Sequence, residues 1–290
     1  MNALLQPLLN AAEIKQLISR AGRLNSHQNR PSNRLAQFGE QPTSVLGSGM
    51  DFADRRPYQA GDDPRFIDWR ASARSSQMLI RRFHNEINHP GCIVIDRRAS
   101  MAFGTHKRLK ATQAVRAGIT LGAQIVQGGA QLAILLLDHP EYWQPPQSGL
   151  TGLQHAASIA ARACPPVDKT STTSEWNHIG HGLIRRLPQG SHVVLISDFM
   201  SLDEASLKTL RLLGHYFDCH ALQVVDASEL QLPQVTPLTL QWAQQRLTIS
   251  NWNSQHALQQ NLHKTQQLFQ RARCHYRLLH SDQTLETLQA

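Results

Sequence analysis

The sequence predicts an α/β fold built on a doubly wound, mostly parallel sheet, and three observations carry that expectation. Short apolar runs of strand length recur at Cys92–Asp96, Leu132–Leu137, His192–Ser197 and Cys219–Val225. Between them lie stretches in which apolar residues return with the 3.6-residue period of a helix. Strand and helix then alternate down most of the chain, an order that requires right-handed crossovers and helices on both faces of one sheet.

Taken in order, residues 1–22 are expected to be helical, with Leu4, Leu5, Leu8, Leu9, Ile14, Leu17 and Ile18 on one side. Residues 23–50 are rich in Asn, Gln, Ser, Gly and Pro and read as a linker or loop. Residues 51–90 are dense in Arg and Asp, with one strand-like stretch at Met78–Phe83. The run CIVID (Cys92–Asp96) follows as a buried strand. A helix over Lys107–Val126 comes next, its inner face carrying Ala111, Ala114, Val115, Gly118, Leu121, Gly122 and Ile125. Leu132–Leu137 is the second strand of the alternation, with Glu141–Gln144 as a short partner after the turn at Asp138–Pro140. Helices are expected at Leu153–Ala163 and Trp176–Leu187, a strand at His192–Ser197, a helix at Leu202–Leu213 and a strand at Cys219–Val225. Pro233–Ile249 reads as a small β-rich extension, Ser254–Ala272 as a long helix and His275–Leu279 as the last strand. The chain thus divides into an N-terminal helix and polar linker (1–44), an Arg/Asp-rich segment packing on the main domain (45–90) and the α/β domain (91–290).

Composition narrows the function classes. With 290 residues and 41% hydrophobic content, the chain can bury a sizeable core. Its apolar runs fall short of the ~20 residues a membrane span needs. The N-terminus lacks a basic start and carries Glu13 early, so it reads as an amphipathic helix and not as a signal peptide. Cys92, Cys164, Cys219 and Cys274 are widely spaced and form no CxxC pair, which removes the sequence basis for zinc-ribbon or thioredoxin chemistry. Together these features predict a cytoplasmic protein with reduced thiols. The formal charge of +8 raises nucleic acid or an acidic partner, but the arginines between Arg55 and Arg98 are interleaved with Asp51, Asp54, Asp62, Asp63, Asp68 and Glu86. Internal pairing absorbs much of that charge, and no zinc-finger, RRM or aromatic–basic pattern accompanies it.

In a doubly wound sheet the functional crevice lies beyond the carboxyl ends of the strands, where strand order reverses. Asp96 follows CIVI and Asp198 follows VVLIS, so the two carboxylates converge on one rim if their strands are neighbours. GxGxxG and GxxxxGK[ST] are both absent, which leaves nucleotide binding without a motif.

Two stretches resemble one known family. Asp96-Arg97-Arg98-Ala99-Ser100-Met101, with Phe103-Gly104 and Lys107, is similar to the start of a von Willebrand factor A domain. Upstream, Arg56-Pro57-Tyr58, Gly61-Asp62-Asp63, Arg65, Ile67-Asp68-Trp69 and Ala73-Arg74 resemble the hallmark of the family called DUF58, and Ile196-Ser197-Asp198-Phe199 fits that family's fourth-strand end. The resemblance covers roughly residues 45–290. It implies a von Willebrand factor A-like fold and a protein-binding role beside a MoxR-type AAA+ ATPase, in assembly or maturation of other proteins.

The resemblance also implies a sheet-edge metal site (MIDAS) with a D-x-S-x-S motif, a Thr from a later loop and an Asp at the fourth strand. Such ligands suit Mg²⁺, which takes oxygen donors in octahedral geometry and keeps several waters. Asp96, Ser100 and Asp198 stand at matching positions, but Arg98 replaces the first serine. Candidates for the Thr are Thr170, Thr172 and Thr173. A guanidinium has no acceptor lone pair and cannot ligate a cation. Two readings stay open. In one, Arg98 or Arg97 folds onto Asp96 and Asp198 and replaces the metal. In the other, Arg98 swings outward and a weak Mg²⁺ site survives on Asp96, Ser100 and Asp198. No other cofactor is expected.

Within the hallmark block, Asp62, Asp63 and Asp68 admit three readings: a structural brace, an interaction surface, or acid–base catalysis. Gly61-Asp62-Asp63-Pro64 has turn chemistry, Arg56, Arg65, Arg70 and Arg74 stand ready to pair the acids, and Tyr58, Phe66, Ile67 and Trp69 can anchor the segment. A hydrolase using Asp62/Asp63 or Ser197/Asp198 is the enzymatic alternative, although no GxSxG elbow is present. His178 and His181 form HxxH without the HExxH motif and read as a helix-surface pair. The leading expectation is a non-enzymatic adaptor with a protein partner.

Overall fold

The N-terminal segment forms helix α1 (Ala11–Ser26). It starts later than its leucines suggest because Asn10 and Glu13 close a capping box: the Asn10 N–H donates to Glu13 Oε2 (2.8 Å) and the Glu13 N–H to Asn10 Oδ1 (2.9 Å). The computed structural model describes residues 6–26, 46–59, 61–84, 89–138, 140–164, 176–230, 238–242, 245–249, 253–285 and 288. Leu4, Leu5, most of the expected polar linker, and Thr170, Thr172 and Thr173 lie outside them. The chain separates into two units, Pro31–Asn88 and the remainder, Met1–Arg30 with His89–Ala290.

The smaller unit is an antiparallel ribbon of β1 (Leu46–Pro57) and β2 (Leu79–His84), in which Arg56 pairs with Ile80 and Pro57 with Leu79. The one-turn helix α2 (Trp69–Ser72) follows a 3-10 turn at Pro64–Phe66. Strand β2 coincides with the expected run at Met78–Phe83. Its partner β1 falls across a stretch expected to be partly loop, since LGSGMDFADRRP has no period-2 alternation to announce a strand.

The larger unit carries the alternation. Its elements are β3 (Gly91–Asp96), α3 (Lys110–Gln127), β4 (Leu132–Leu137), β5 (Tyr142–Gln147), α4 (Gly149–Ala160), α5 (Trp176–Arg186), β6 (His192–Ser197), α6 (Leu207–Tyr216), β7 (Asp218–Val225), the one-turn α7 (Ala227–Leu230), a hairpin of β8 (Leu238–Trp242) and β9 (Gln245–Ile249), α8 (Asn253–Arg271) and β10 (His275–His280). Six strands form one sheet in the order β10-β7-β6-β3-β4-β5. All pair in parallel except β5, which runs antiparallel to β4 at the edge. That edge position suits Pro145 and Pro146, which cannot donate to a ladder.

Every residue of β3, β4 and β6 is buried, as befits strands covered on both faces. Ile93 and Ile95 face a core that includes Ala114 and Gly118-flanking residues of α3, Leu153 of α4, and Leu9 and Ala21. Ile14, Leu17 and Ile18 of α1 pack against the same core, so α1 is part of the larger unit. Cys92 and Val94 face the second core, with Trp176 and Leu183 of α5, Leu210 of α6 and Phe269 of α8. Gly118 lets α3 lie close on the sheet: a Cβ there would sit 2.5 Å from Ile95 Cδ1. Among the described residues no helix is long and apolar enough to cross a membrane.

The chain runs from β3 outward through β4 to β5, then returns to the other side of β3 for β6, β7 and β10. Strand order therefore reverses between β3 and β6, and in open α/β sheets the carboxyl ends at such a reversal are where ligands commonly bind.

Candidate functional site

Four neighbouring strands end on an aspartate at that rim. In spatial order they are Asp226 after β7, Asp198 after β6, Asp96 closing β3 and Asp138 after β4. Parallel pairing places these ends side by side, with Ile95 opposite Ile196 and Asp96 opposite Leu137. A row of carboxylates in so buried a place needs compensation, because each charge has lost its water.

Each acid finds a partner from the chain itself. Arg98 turns back on Asp96: its Nε donates to Oδ1 (2.9 Å), its Nη2 to Oδ2 (2.6 Å) and its backbone N–H to Oδ1 (3.0 Å). The guanidinium also lies 5.5 Å from the Trp176 ring centre, a cation–π distance. Burial opposes the charge on Arg98, but the Asp96 bonds and the nearby Asp198 and Glu141 outweigh it and raise its pKa. Arg97 points elsewhere. Its Nη atoms donate to the carbonyls of Ile159, Ala160 and Ala163, and its Nε lies 3.0 Å from Asp138 Oδ1. A cation at the carboxyl end of α4 also suits the helix dipole.

Asp198 takes neither arginine as its ion-pair partner. Lys110, the first residue of α3, is almost wholly buried and donates from Nζ to Asp198 Oδ2 (2.9 Å) and Glu229 Oε1 (2.7 Å). Desolvation lowers its proton affinity, but Asp198 and Glu229 more than restore it, so the ammonium is held. Asp226 relies on neutral donors: the Thr105 N–H (3.0 Å) and hydroxyl, the Ser228 N–H (3.1 Å) and Oγ (2.8 Å), and Ser281 Oγ (3.2 Å). Burial would raise the Asp226 pKa, yet the Thr105 and Ser228 bonds bring it down to about 2.

The turn after β6 is held tightly. Ser197 Oγ donates to Asp96 Oδ2 (2.6 Å) and accepts from the Phe199 N–H (3.0 Å). Phe199 is fully buried with φ at 55°, a left-handed conformation that costs a side-chain-bearing residue about 1–3 kcal/mol. Its packing on Trp176 (5.1 Å between ring centres) and Phe269 (4.8 Å) holds it there. Gln223 Nε2 donates to the Asp198 carbonyl (2.9 Å), and the Tyr276 hydroxyl fixes the other end of that amide (2.7 Å).

Of the residues expected at this rim, Asp96, Arg98 and Asp198 come together. Ser100 sits in a half-buried 3-10 turn (Ala99–Met101) and hydrogen-bonds neither acid, while Ser197 occupies an Asp96 oxygen instead. Lys110, Asp138, Asp226, Glu229 and Thr105 were not singled out from the sequence. Two signals were present: Asp138 and Asp226 directly follow apolar strand runs, and Lys110 precedes Ala114 and Gly118 at four-residue steps on the inner face of α3.

In the smaller unit the acids of the hallmark block are bonded within the block itself. Arg56 grips Asp62 with two bonds (2.7 and 2.6 Å), the Gln59 N–H adds a third (2.9 Å), and the Tyr58 hydroxyl reaches the Asp62 carbonyl (3.4 Å). The Arg56 and Gln59 bonds hold the Asp62 carboxyl below its ordinary range. Gly61, at φ 109°, supplies the left-handed corner that the turn requires. Asp63 caps the 3-10 turn through the Arg65 N–H (3.0 Å), and its ion pair with Arg65 is exposed. Asp68 caps α2 through the Ala71 N–H (3.1 Å) and accepts from Arg55 Nε (2.9 Å). Of the expected anchors, Ile67 is buried, but Trp69 is 65% exposed and Phe66 is exposed as well, and Arg74 also faces solvent.

Residues 54–271 match a family described as protein of unknown function DUF58. Uncharacterized proteins of Mycobacterium tuberculosis and Mycobacterium bovis are each 27% identical over 207 residues. That stretch is 71% of this chain and 64% of theirs, so the match spans less than two thirds of those relatives. Among solved structures, the conserved hypothetical protein BatB from Bacteroides thetaiotaomicron aligns with a TM-score of 0.48 at 13% identity, covering 69% of this chain and 93% of that one. An aerotolerance-related membrane protein from Bacteroides fragilis aligns with a TM-score of 0.47 at 14% identity, covering 69% and 94%.

Proposed function

We propose, as the chain belongs to the DUF58 family, that it has a von Willebrand factor A-like fold and works as a non-enzymatic adaptor whose strand-end rim meets a protein partner without a metal ion. One observation carries this reading: Asp96 and Asp198, the acids that would hold Mg²⁺, are each engaged by a fixed cation, Arg98 and Lys110. The residues do not fit the ion. Arg98 covers both Asp96 oxygens, and Ser100 is not drawn to the acids. Expelling either cation would strand it in a buried position, which costs several kcal/mol by order of magnitude.

The partner in this reading is a MoxR-type AAA+ ATPase, with a role in assembly or maturation of other proteins. The family resemblance supports that choice. A cytoplasmic setting belongs to the same reading and suits the four unpaired, buried cysteines. The enzymatic alternative has less behind it. A general acid at neutral pH needs a raised pKa, whereas Arg56 and Gln59 push Asp62 the other way. Ser197 spends its hydroxyl proton on Asp96, which Arg98 already holds.

The test has two arms. Immobilised full-length protein is expected to capture a nucleotide-free MoxR-type ATPase equally well with and without EDTA. Calorimetry is expected to give no saturable heat with Mg²⁺. Failure to bind the ATPase, together with recovery of no other stoichiometric protein, removes the adaptor role. Loss of capture on chelation, or tight Mg²⁺ binding, removes the metal-free rim.

A further inference from the structure

The amino-terminal end of the sheet, opposite the carboxylate row, gathers chemistry that the proposed function does not use. His192 opens β6, Asp218 opens β7, His220 follows two residues later, and His275 opens β10. These positions are far apart in the chain, but the parallel register makes them neighbours: His192 lies opposite Asp218, and His275 opposite His220. Asp218 and His220 are two residues apart on one strand and share a face. Four side chains able to bind a metal therefore meet on three adjacent strands.

We propose that Asp218, His220 and His275 form a binding site for a divalent transition-metal ion of the zinc class, with His192 as the residue that orients the carboxylate. One ligand atom from each of the three falls within 4.8 Å of the others. His220 Nε2 is 3.2 Å from Asp218 Oδ1. Two bonds of about 2.0–2.1 Å meeting at a tetrahedral angle place their donor atoms about 3.3 Å apart, so this pair already has the edge length of a zinc site. The imidazoles of His220 and His275 are stacked, with ring centres 4.7 Å apart and planes inclined by 23°. His275 is exposed, so its side chain is free to close the remaining gap by a change of rotamer.

The supporting contact is in place. His192 is largely buried, and its Nδ1 lies 3.0 Å from Asp218 Oδ2. Held by that oxygen, the carboxylate presents Oδ1 to His220 and the ion, which is how outer contacts commonly set a ligand's direction. Two imidazoles and one carboxylate select zinc-class ions over Mg²⁺ or Ca²⁺, which prefer all-oxygen shells. Three protein ligands leave a fourth position for water or for a donor from outside.

The experiment uses the full chain, freed of metal by chelation and dialysis. Titration with Co²⁺, followed by its visible ligand-field absorption, is expected to saturate at one equivalent, and Zn²⁺ is expected to displace it. Asp218→Asn and His275→Ala are each expected to weaken binding at least 10-fold, the scale on which lost ligands and their supports act. His178→Ala, in the exposed HxxH pair on α5, is expected to leave it unchanged. Because His275 is exposed, its variant carries the test even if Asp218→Asn fails to fold. No saturable Co²⁺ or Zn²⁺ binding overturns the proposal, as does binding that survives His275→Ala undiminished.

Discussion

Replacing Lys110 with methionine isolates the most consequential contact at the rim. The substitution keeps the length of the side chain and most of its packing, but it removes the ammonium that sits 2.9 Å from Asp198 and 2.7 Å from Glu229. Lys110 is 2% exposed, and the Asp198 and Glu229 side chains are 5% and 18% exposed, so water cannot replace the lost charge. Breaking a buried pair in this way costs about 3–5 kcal/mol, because a carboxylate is left uncompensated. For a unit of this size, where 1 kcal/mol moves Tm by about 2–4 °C, the expected loss is about 6–20 °C. Urea unfolding followed by tryptophan fluorescence gives the free energy, with an unchanged m-value showing that both states keep their compactness. The triple variant Lys110→Met, Asp198→Asn, Glu229→Gln removes the stranded charges as well and is expected to recover more than half of the loss. A Lys110→Met protein within about 1 kcal/mol of the parent would refute the reasoning, as would a triple variant no more stable than the single one.

Three further outcomes follow from the same geometry. Asp226, with its folded-state pKa held at about 2, contributes stability that is present above its unfolded value of about 3.9 and is lost as pH falls toward 2. Asp226→Asn is therefore expected to cost roughly 2 kcal/mol at neutral pH and progressively less between pH 4 and pH 2; a pH-independent difference in urea midpoint would contradict this. Burial pushes the Cys92 thiol up to about 12 and Cys164 up to about 11, and bonding with Cys274 together with burial raises Cys219. All four thiols are expected to be silent to an aromatic disulfide reagent at pH 8 until the protein unfolds, and rapid labelling of any of them in the native state would count against the buried placement. Gly118→Ala would gain about 1 kcal/mol of helix propensity but must force a Cβ against Ile95 Cδ1 at 2.5 Å, so overpacking of about 1–3 kcal/mol prevails and the thermal midpoint is expected to fall.

The element order was legible because its signals are local. Runs such as CIVID and LAILLL admit few other readings, and the α3 period over Ala111, Ala114, Gly118 and Ile125 announced a buried face. Among the described residues the differences lie at element ends, at β1 and at the one-turn helices α2 and α7, which are too short to show a hydrophobic period. The early start of α4 follows Ser148 and Gly149, and the late start of α3 follows a bend over residues 102–108, neither of which interrupts hydrophobic periodicity. The hallmark arginines and aspartates were legible as a group, but their pairing was not: Arg56 with Asp62 and Arg55 with Asp68 depend on a turn whose geometry comes from Gly61 and the two caps.

The amino-acid sequence by itself determined that this protein would build a mostly parallel sheet covered on both faces, place Asp96 and Asp198 at strand ends, and put Arg98 two residues beyond Asp96. Only the tertiary structure decided which charge meets which. Strand order made Asp226, Asp198, Asp96 and Asp138 one row and brought Lys110 from the start of α3 to Asp198, while Arg97 and Arg98, adjacent in sequence, part to different acids. The same order joined Asp218, His220 and His275 at the opposite end. Period and propensity act over a few residues. Pairing of buried charges acts through space, and its partners are chosen by the register of strands about a hundred residues apart.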